Sequence, residues 1–153
     1  TGDFSRLLLP TGYFDRIMSV EVLRYVADIK PCLMTVRSIM KPDTLFTFTV
    51  TNIFSSSLFP LKYKIRKALG IVKSTELHQY FITENGIRQQ LAQTGFDIVG
   101  FHRIRPISML PLLKFFLSTP KQVRFFDRLD TLAGRMPLLR NLCDTFIITV
   151  KKQ

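Results

Sequence analysis

The stretch TGDFSRLLLPTGYFDRIMSVEVLRYV, residues 1–26, decides how the rest of the chain is read. It divides into a loop, a short apolar run from Phe14 to Ser19, and a polar turn at Ser19-Val20-Glu21. An apolar run of this length, closed by turn residues, is the pattern of a buried strand in a covered parallel sheet. Ligands of such sheets bind beyond the carboxyl ends of the strands, so Ser19, Val20 and Glu21 stand where chemistry is expected.

Working outward, the following elements declare themselves by period and by their caps. Ile29, Cys32, Leu33, Val36, Ile39 and Met40 recur at helical spacing, with Lys30, Arg37 and Lys41 on other faces. Pro31 suits a first turn and Pro42 forbids continuation, which sets a helix over 31–40. Residues 45–51, rich in β-branched and aromatic side chains, read as a strand. Serines 55–57 offer caps for a helix starting near Pro60. On that helix Leu61, Ile65, Ala68, Leu69 and Val72 share one face, Lys62, Arg66 and Lys73 lie on another, and Lys64 flanks the apolar edge. A basic amphipathic helix over 58–73 has two readings, a lid that meets a membrane surface or lipid substrate, and an ordinary helix with its apolar face packed on the domain. Thr83 caps a further helix that runs to Thr94 and stops at Gly95. A strand follows at 96–104, and another closes the chain at 145–151. The 105–142 segment between them is far longer than a hairpin loop needs. Pro111, Pro120 and Pro137 each suit a helix start and Gly134 a helix end, which predicts an insertion of two or three helices.

Length and composition suit one domain, since 153 residues with 46% hydrophobic content can bury a core. The 22 basic residues outnumber the 11 acidic ones, and their placement matters more than the total. Residues 58–73 hold five basic side chains and no acid, and 99–143 hold eight against two, while the rest of the chain balances. A local excess of this kind marks a surface for anionic partners, an anionic membrane among them. Cys32 and Cys143 sit among apolar neighbours and read as buried small hydrophobes, and no spacing of Cys and His builds a metal site. The most apolar segment, 107–117, is interrupted by Pro111 and Lys114 and is too short to cross a bilayer. No signal-peptide pattern is visible, and the expectation is a cytoplasmic protein with peripheral contact to a membrane.

Several spaced pieces together resemble a known family. Gly2-Asp3, Leu9-Pro10, Tyr13-Phe14-Asp15-Arg16-Ile17, Ser19 and Glu21-Val22-Leu23-Arg24-Tyr25-Val26 are similar to the middle of a class I S-adenosylmethionine-dependent methyltransferase. The resemblance continues through Met40-Lys41-Pro42, His78-Gln79-Tyr80-Phe81 and Thr94-Gly95-Phe96-Asp97-Ile98-Val99. It implies a Rossmann-like α/β fold, represented by its second half and closed by an antiparallel pair of strands, with the helical insertion before the last one. Nothing like the family's glycine-rich cofactor loop occurs in the chain, so the resemblance is to the carboxyl-terminal part of the domain, 1–153 being a partial domain expected to be inactive alone. Where the family usually has Pro-Gly-Gly before its next strand, this chain has Pro42-Asp43-Thr44, and Asp tolerates the turn.

The resemblance also assigns roles, with S-adenosylmethionine as the cofactor. Asp3 matches the carboxylate that accepts from the adenine amino group, and Phe4 its neighbour beside the ring. Ser19 and Val20 match the lining of the methionine portion. Glu21 and Tyr25 face the same cleft as substrate-binding residues, Tyr25 standing where the family commonly carries His. His78, in a segment that folds over the cleft, is the candidate catalytic base, since a histidine with an ordinary pKa near ~6.5 takes a proton at neutral pH. The expected reaction is methyl transfer to a small or lipid-like acceptor at oxygen or carbon. The alternative is a non-catalytic basic module docking on an anionic membrane or a partner protein. Nucleic acid is disfavoured, because the turn after the first strand is Ser19-Val20-Glu21-Val22 rather than the D-P-P-Y type that cradles a flipped base.

Overall fold

The computed structural model describes residues 9–72, 78–104 and 139–153, together with Arg128, Thr131 and Met136. Among these, β1 (Phe14–Ser19), β2 (Met40–Thr51), β3 (Phe96–Ile104) and β4 (Thr145–Lys152) form one sheet in the order β1-β2-β4-β3. β1 and β2 run parallel, with helix α1 (Ile29–Ile39) between them in sequence. β4 is antiparallel to both its neighbours, β2 and β3. The terminal strand therefore enters the sheet between β2 and β3, which is the antiparallel closure expected from the sequence.

One face of the sheet carries the core. Strand alternation puts Phe46, Phe48 and Val50 of β2 with Phe146, Ile148 and Val150 of β4 on that side, all buried. Leu33 and Val36 of α1 and Ile87 and Leu91 of α3 (Glu84–Gln93) join the same cluster. The caps explain where these helices begin. Asp28 accepts from the Lys30 amide at 3.0 Å and starts α1, and Thr83 accepts from the Gly86 amide at 3.0 Å and starts α3. Gly95 leaves α3 with φ +71°, the left-handed stop its sequence position predicts. A carboxylate at Glu84 then ties α3 to β3 through Arg103, while Arg88 and Arg103 both lie over the Phe101 ring.

Three expectations are corrected. First, β1 is not covered on both faces, since Met18 is 76% exposed; within the described sheet it is an edge strand beside β2. Second, 42–44 is not a turn before β2. β2 begins at Met40 and absorbs those residues as a bulge, two steps along β1 from Phe14 to Arg16 facing five along β2 from Met40 to Leu45. Pro42 has no N–H to give a regular ladder, and a bulge accommodates it. The Thr44 hydroxyl closes the bulge by donating to the Phe14 carbonyl.

The third correction concerns α2 (Phe59–Ala68). Its apolar face does not pack on the domain. Pro60 and Tyr63 are the buried residues of the helix, and the Tyr63 ring sits edge-on to Phe81 with centroids 5.7 Å apart. Leu61 and Ile65 consequently look away from the sheet, as does Leu69 just beyond the helix. Leu58, at φ +56°, is the N-cap in place of the serines, although Ser57 Oγ still accepts from the Phe59 amide at 3.3 Å. The predicted helical insertion over 105–142 lies outside the described residues except for Arg128, Thr131, Met136 and its end, where Leu139–Leu142 forms a short 3-10 turn.

Candidate functional site

The face of the sheet opposite the core is lined by the other half of the alternation, Thr47, Thr49, Thr51, Thr145 and Ile147. Here a cleft of about 560 Å³ opens at the carboxyl ends of β1 and β2. Met18, Val20, Phe59, Ile104 and Ile147 form apolar walls, and Glu21, Arg24, Ser57 and Asp144 supply polar groups. That combination, apolar walls with a few placed polar atoms, and that size are typical of small-molecule sites.

Glu21 lines the cleft in an unusual backbone conformation. Its φ is +59°, a left-handed conformation that a side-chain-bearing residue adopts at a cost of about 1 kcal/mol. Two contacts hold it there. The Glu21 amide donates to Thr49 Oγ1 at 2.8 Å, which joins the end of β1 to the end of β2. The carboxylate receives Arg24 Nη1 at 2.5 Å. Arg24 also donates through Nη2 to the Tyr25 hydroxyl at 2.8 Å, its guanidinium lying 4.9 Å from the centre of the Tyr25 ring. Backbone strain of this kind concentrates at functional sites.

Asp144 reaches the same cleft from the opposite end of the chain. Because β4 runs antiparallel beside β2, its first residues lie level with the last residues of β2, and Asn52 donates its backbone N–H to the Asp144 carbonyl at 2.9 Å. The Asp144 carboxylate accepts from Ser55 Oγ, and Ser55 Oγ is 2.6 Å from Ser57 Oγ on the cleft wall. A short hydroxyl chain thus connects a carboxylate to the cleft wall. Buried Asn52 fixes this corner, its Nδ2 donating to the carbonyls of Asn141 and Cys143 at 2.8 and 2.9 Å.

The site residues read from the sequence fall as follows. Val20 and Glu21 line the cleft, and Ser19 pairs with Phe48 just behind it. Tyr25 is joined to Glu21 through Arg24. His78 is exposed at the start of a segment that passes the end of β2, where the Tyr80 amide donates to the Arg24 carbonyl at 2.7 Å and the Ile82 amide to the Thr51 carbonyl at 3.1 Å. A second cavity of about 390 Å³ lies under that segment, bounded by Tyr63, Lys64, Lys67 and Gln79, and His78 does not line it or the first cleft. Asp3 and Phe4 lie outside the described residues. Arg24, Ser57 and Asp144 were not picked out from the sequence. Arg24 had a signal, standing three residues after Glu21 on one turn, whereas Asp144 is brought near only by the strand order.

No family model matches the sequence and no curated protein matches it. Solved structures do. A putative S-adenosylmethionine-dependent methyltransferase from Listeria monocytogenes superposes with a TM-score of 0.63 at 13% identity, covering 99% of this chain and 67% of that one. The fold is that of the class I methyltransferases. An S-adenosylmethionine-dependent methyltransferase from Mesorhizobium loti gives 0.61 at 17% identity, with 99% and 67% covered. Magnesium protoporphyrin IX methyltransferase from Synechocystis, solved with bound SAH, gives 0.54 at 14% identity, with 99% and 49% covered. The chain spans between about half and two-thirds of the length of these structures. In doubly wound folds ligands bind beyond the carboxyl ends of the parallel strands, the end of the sheet at which the cleft beside β1 and β2 opens.

Proposed function

We propose that the chain forms part of an S-adenosylmethionine-dependent methyltransferase whose acceptor is small or lipid-like and is methylated at oxygen or carbon. The observation that carries this reading is the junction of β1 and β2, where Glu21 is held left-handed by Thr49 and Arg24 at the mouth of an apolar-walled cleft. The residues present fit the cofactor's methionine end, with Ser19 and Val20 at the strand end and a cleft that pairs apolar walls with carboxylates. Asp3 and Phe4 are proposed to hold the adenine, and Glu21 and Tyr25 to meet the acceptor.

S-adenosylmethionine supplies a methyl group on a sulfonium, and displacement from it is in-line. What the protein contributes is alignment, which is worth several kcal/mol of barrier when reacting atoms are held at near-attack distance. For a hydroxyl acceptor a proton must also leave. Glu21 is committed to Arg24, so Asp144, at the end of the Ser57-Ser55 hydroxyl chain, is proposed to receive it. His78, the base expected from the sequence, stays proposed for the same role, although it lines neither cavity.

Photo-crosslinking with methyl-labelled S-adenosylmethionine tests the reading. At saturating cofactor the label is expected in the peptide holding residues 14–25 and is expected to vanish when S-adenosylhomocysteine competes. No adduct, or one that the competitor leaves in place, overturns it.

A further inference from the structure

The outward side of α2 has a composition that solvent exposure alone does not call for. Leu61, Ile65 and Leu69 stand four residues apart and are 53%, 50% and 67% exposed, which makes a single ridge opposite the buried Tyr63. Leu58 and Ile71, each more than half exposed, lie beyond its two ends. A surface helix ordinarily turns such a ridge inward, but Tyr63 and Pro60 occupy the inward side here. Contiguous exposed apolar surface with a polar rim marks an interaction site.

The rim is of one sign. By helical spacing Lys62 and Arg66 rise along one flank of the ridge and Lys64 along the other, and residues 58–73 contain no acid at all. Protein-binding patches are rich in aromatic residues and poor in lysine at their centres. An aliphatic ridge flanked on its own helix by cations instead complements a surface that is apolar within and anionic above.

We propose that α2 docks the protein on an anionic phospholipid bilayer, the ridge entering the acyl boundary while the flanking cations stay at the phosphate level. Lysine and arginine suit this, since their apolar stems lie along the ridge while their charged ends rise to the headgroups. Ser57 and Phe59, at the amino end of α2, line the cleft, so the docking helix adjoins the cleft wall. The docking itself does not depend on methyl transfer. Leu61, Ile65 and Leu69 do not line the cleft, so substitutions there should leave cofactor binding unchanged and either reading can fail without the other.

Co-sedimentation with vesicles tests it, using phosphatidylcholine alone and phosphatidylcholine mixed with phosphatidylserine. The protein is expected to sediment with the mixed vesicles only and to be released as salt rises. Leu61→Ser with Ile65→Ser and Leu69→Ser should lower binding at least tenfold, as should Lys62→Gln with Lys64→Gln. These side chains are exposed, so circular dichroism should show the fold retained in both variants. The proposal is overturned by an absence of sedimentation, by equal binding to neutral vesicles, or by binding that the serine variant leaves unchanged. It is equally overturned if the serine variant dissociates a dimer seen by light scattering while no lipid is bound, since the ridge is then a contact between two copies.

Discussion

Replacing Asn52 with Ala should cost about 3 kcal/mol of stability. The side chain is 1% exposed and makes three hydrogen bonds, giving to the carbonyls of Asn141 at 2.8 Å and Cys143 at 2.9 Å and accepting from the Phe54 amide at 3.1 Å. Each is worth about 1 kcal/mol net, so losing all three amounts to about 3 kcal/mol. For a chain of this length about 3 kcal/mol corresponds to a fall of about 9 °C in Tm. Asn52→Asp should cost more than Ala, because it keeps the acceptor for Phe54 but turns a carboxylate toward two carbonyl oxygens. Urea and thermal unfolding followed by circular dichroism measure both. A loss below about 1 kcal/mol for Ala would show that Asn52 does not pin the 139–144 chain to β2, and the placement of Asp144 in the cleft would lose its support.

The remaining predictions concern neighbouring groups. Burial pushes the Glu84 carboxyl up, but hydrogen bonds from Arg103 and Arg88 outweigh it and hold the group below its ordinary 4.5. A carboxyl lowered on folding stabilises fully above its unfolded pKa, so this contribution should fade as pH falls below 4.5, and Glu84→Gln should flatten that part of the stability curve measured by urea unfolding. Burial raises the Cys143 thiol to about 11, so thiol reagents should leave it unmodified at neutral pH until denaturant is added. Gly95→Ala should lower stability by about 1 kcal/mol, since φ is +71° there, and thermal unfolding reads the change.

Much of the fold was legible because local chemistry and tertiary context agree along most of the chain. The cap and stop at Thr83 and Gly95 gave α3 with little error, and the strands read at 96–104 and at Phe14–Ser19 are β3 and β1. Periodicity states which residues share a face, however, and not which way the face points. It grouped Leu61, Ile65 and Leu69 correctly and was silent on Tyr63 taking the inward side. The apolar run at Phe14–Ser19 likewise marks a strand without saying what covers its second face, which is why the exposure of Met18 was not foreseen. Asp144 was invisible for a different reason, since only the insertion of β4 beside β2 carries it to the cleft that Glu21 lines. The readings for Asp3, Phe4 and most of 105–142 rest on residues the structure does not describe.

The central claim is that the carboxyl ends of β1 and β2 hold an S-adenosyl cofactor. Titrating S-adenosylhomocysteine into isotopically labelled protein and following backbone amides by NMR tests this most directly, because the method reports the place of binding even when affinity is weak. The account predicts that the largest shifts fall on Ser19, Val20, Glu21 and Thr49, with Thr49→Val dispersing them. Shifts confined to other surfaces, or none at millimolar ligand, would contradict it.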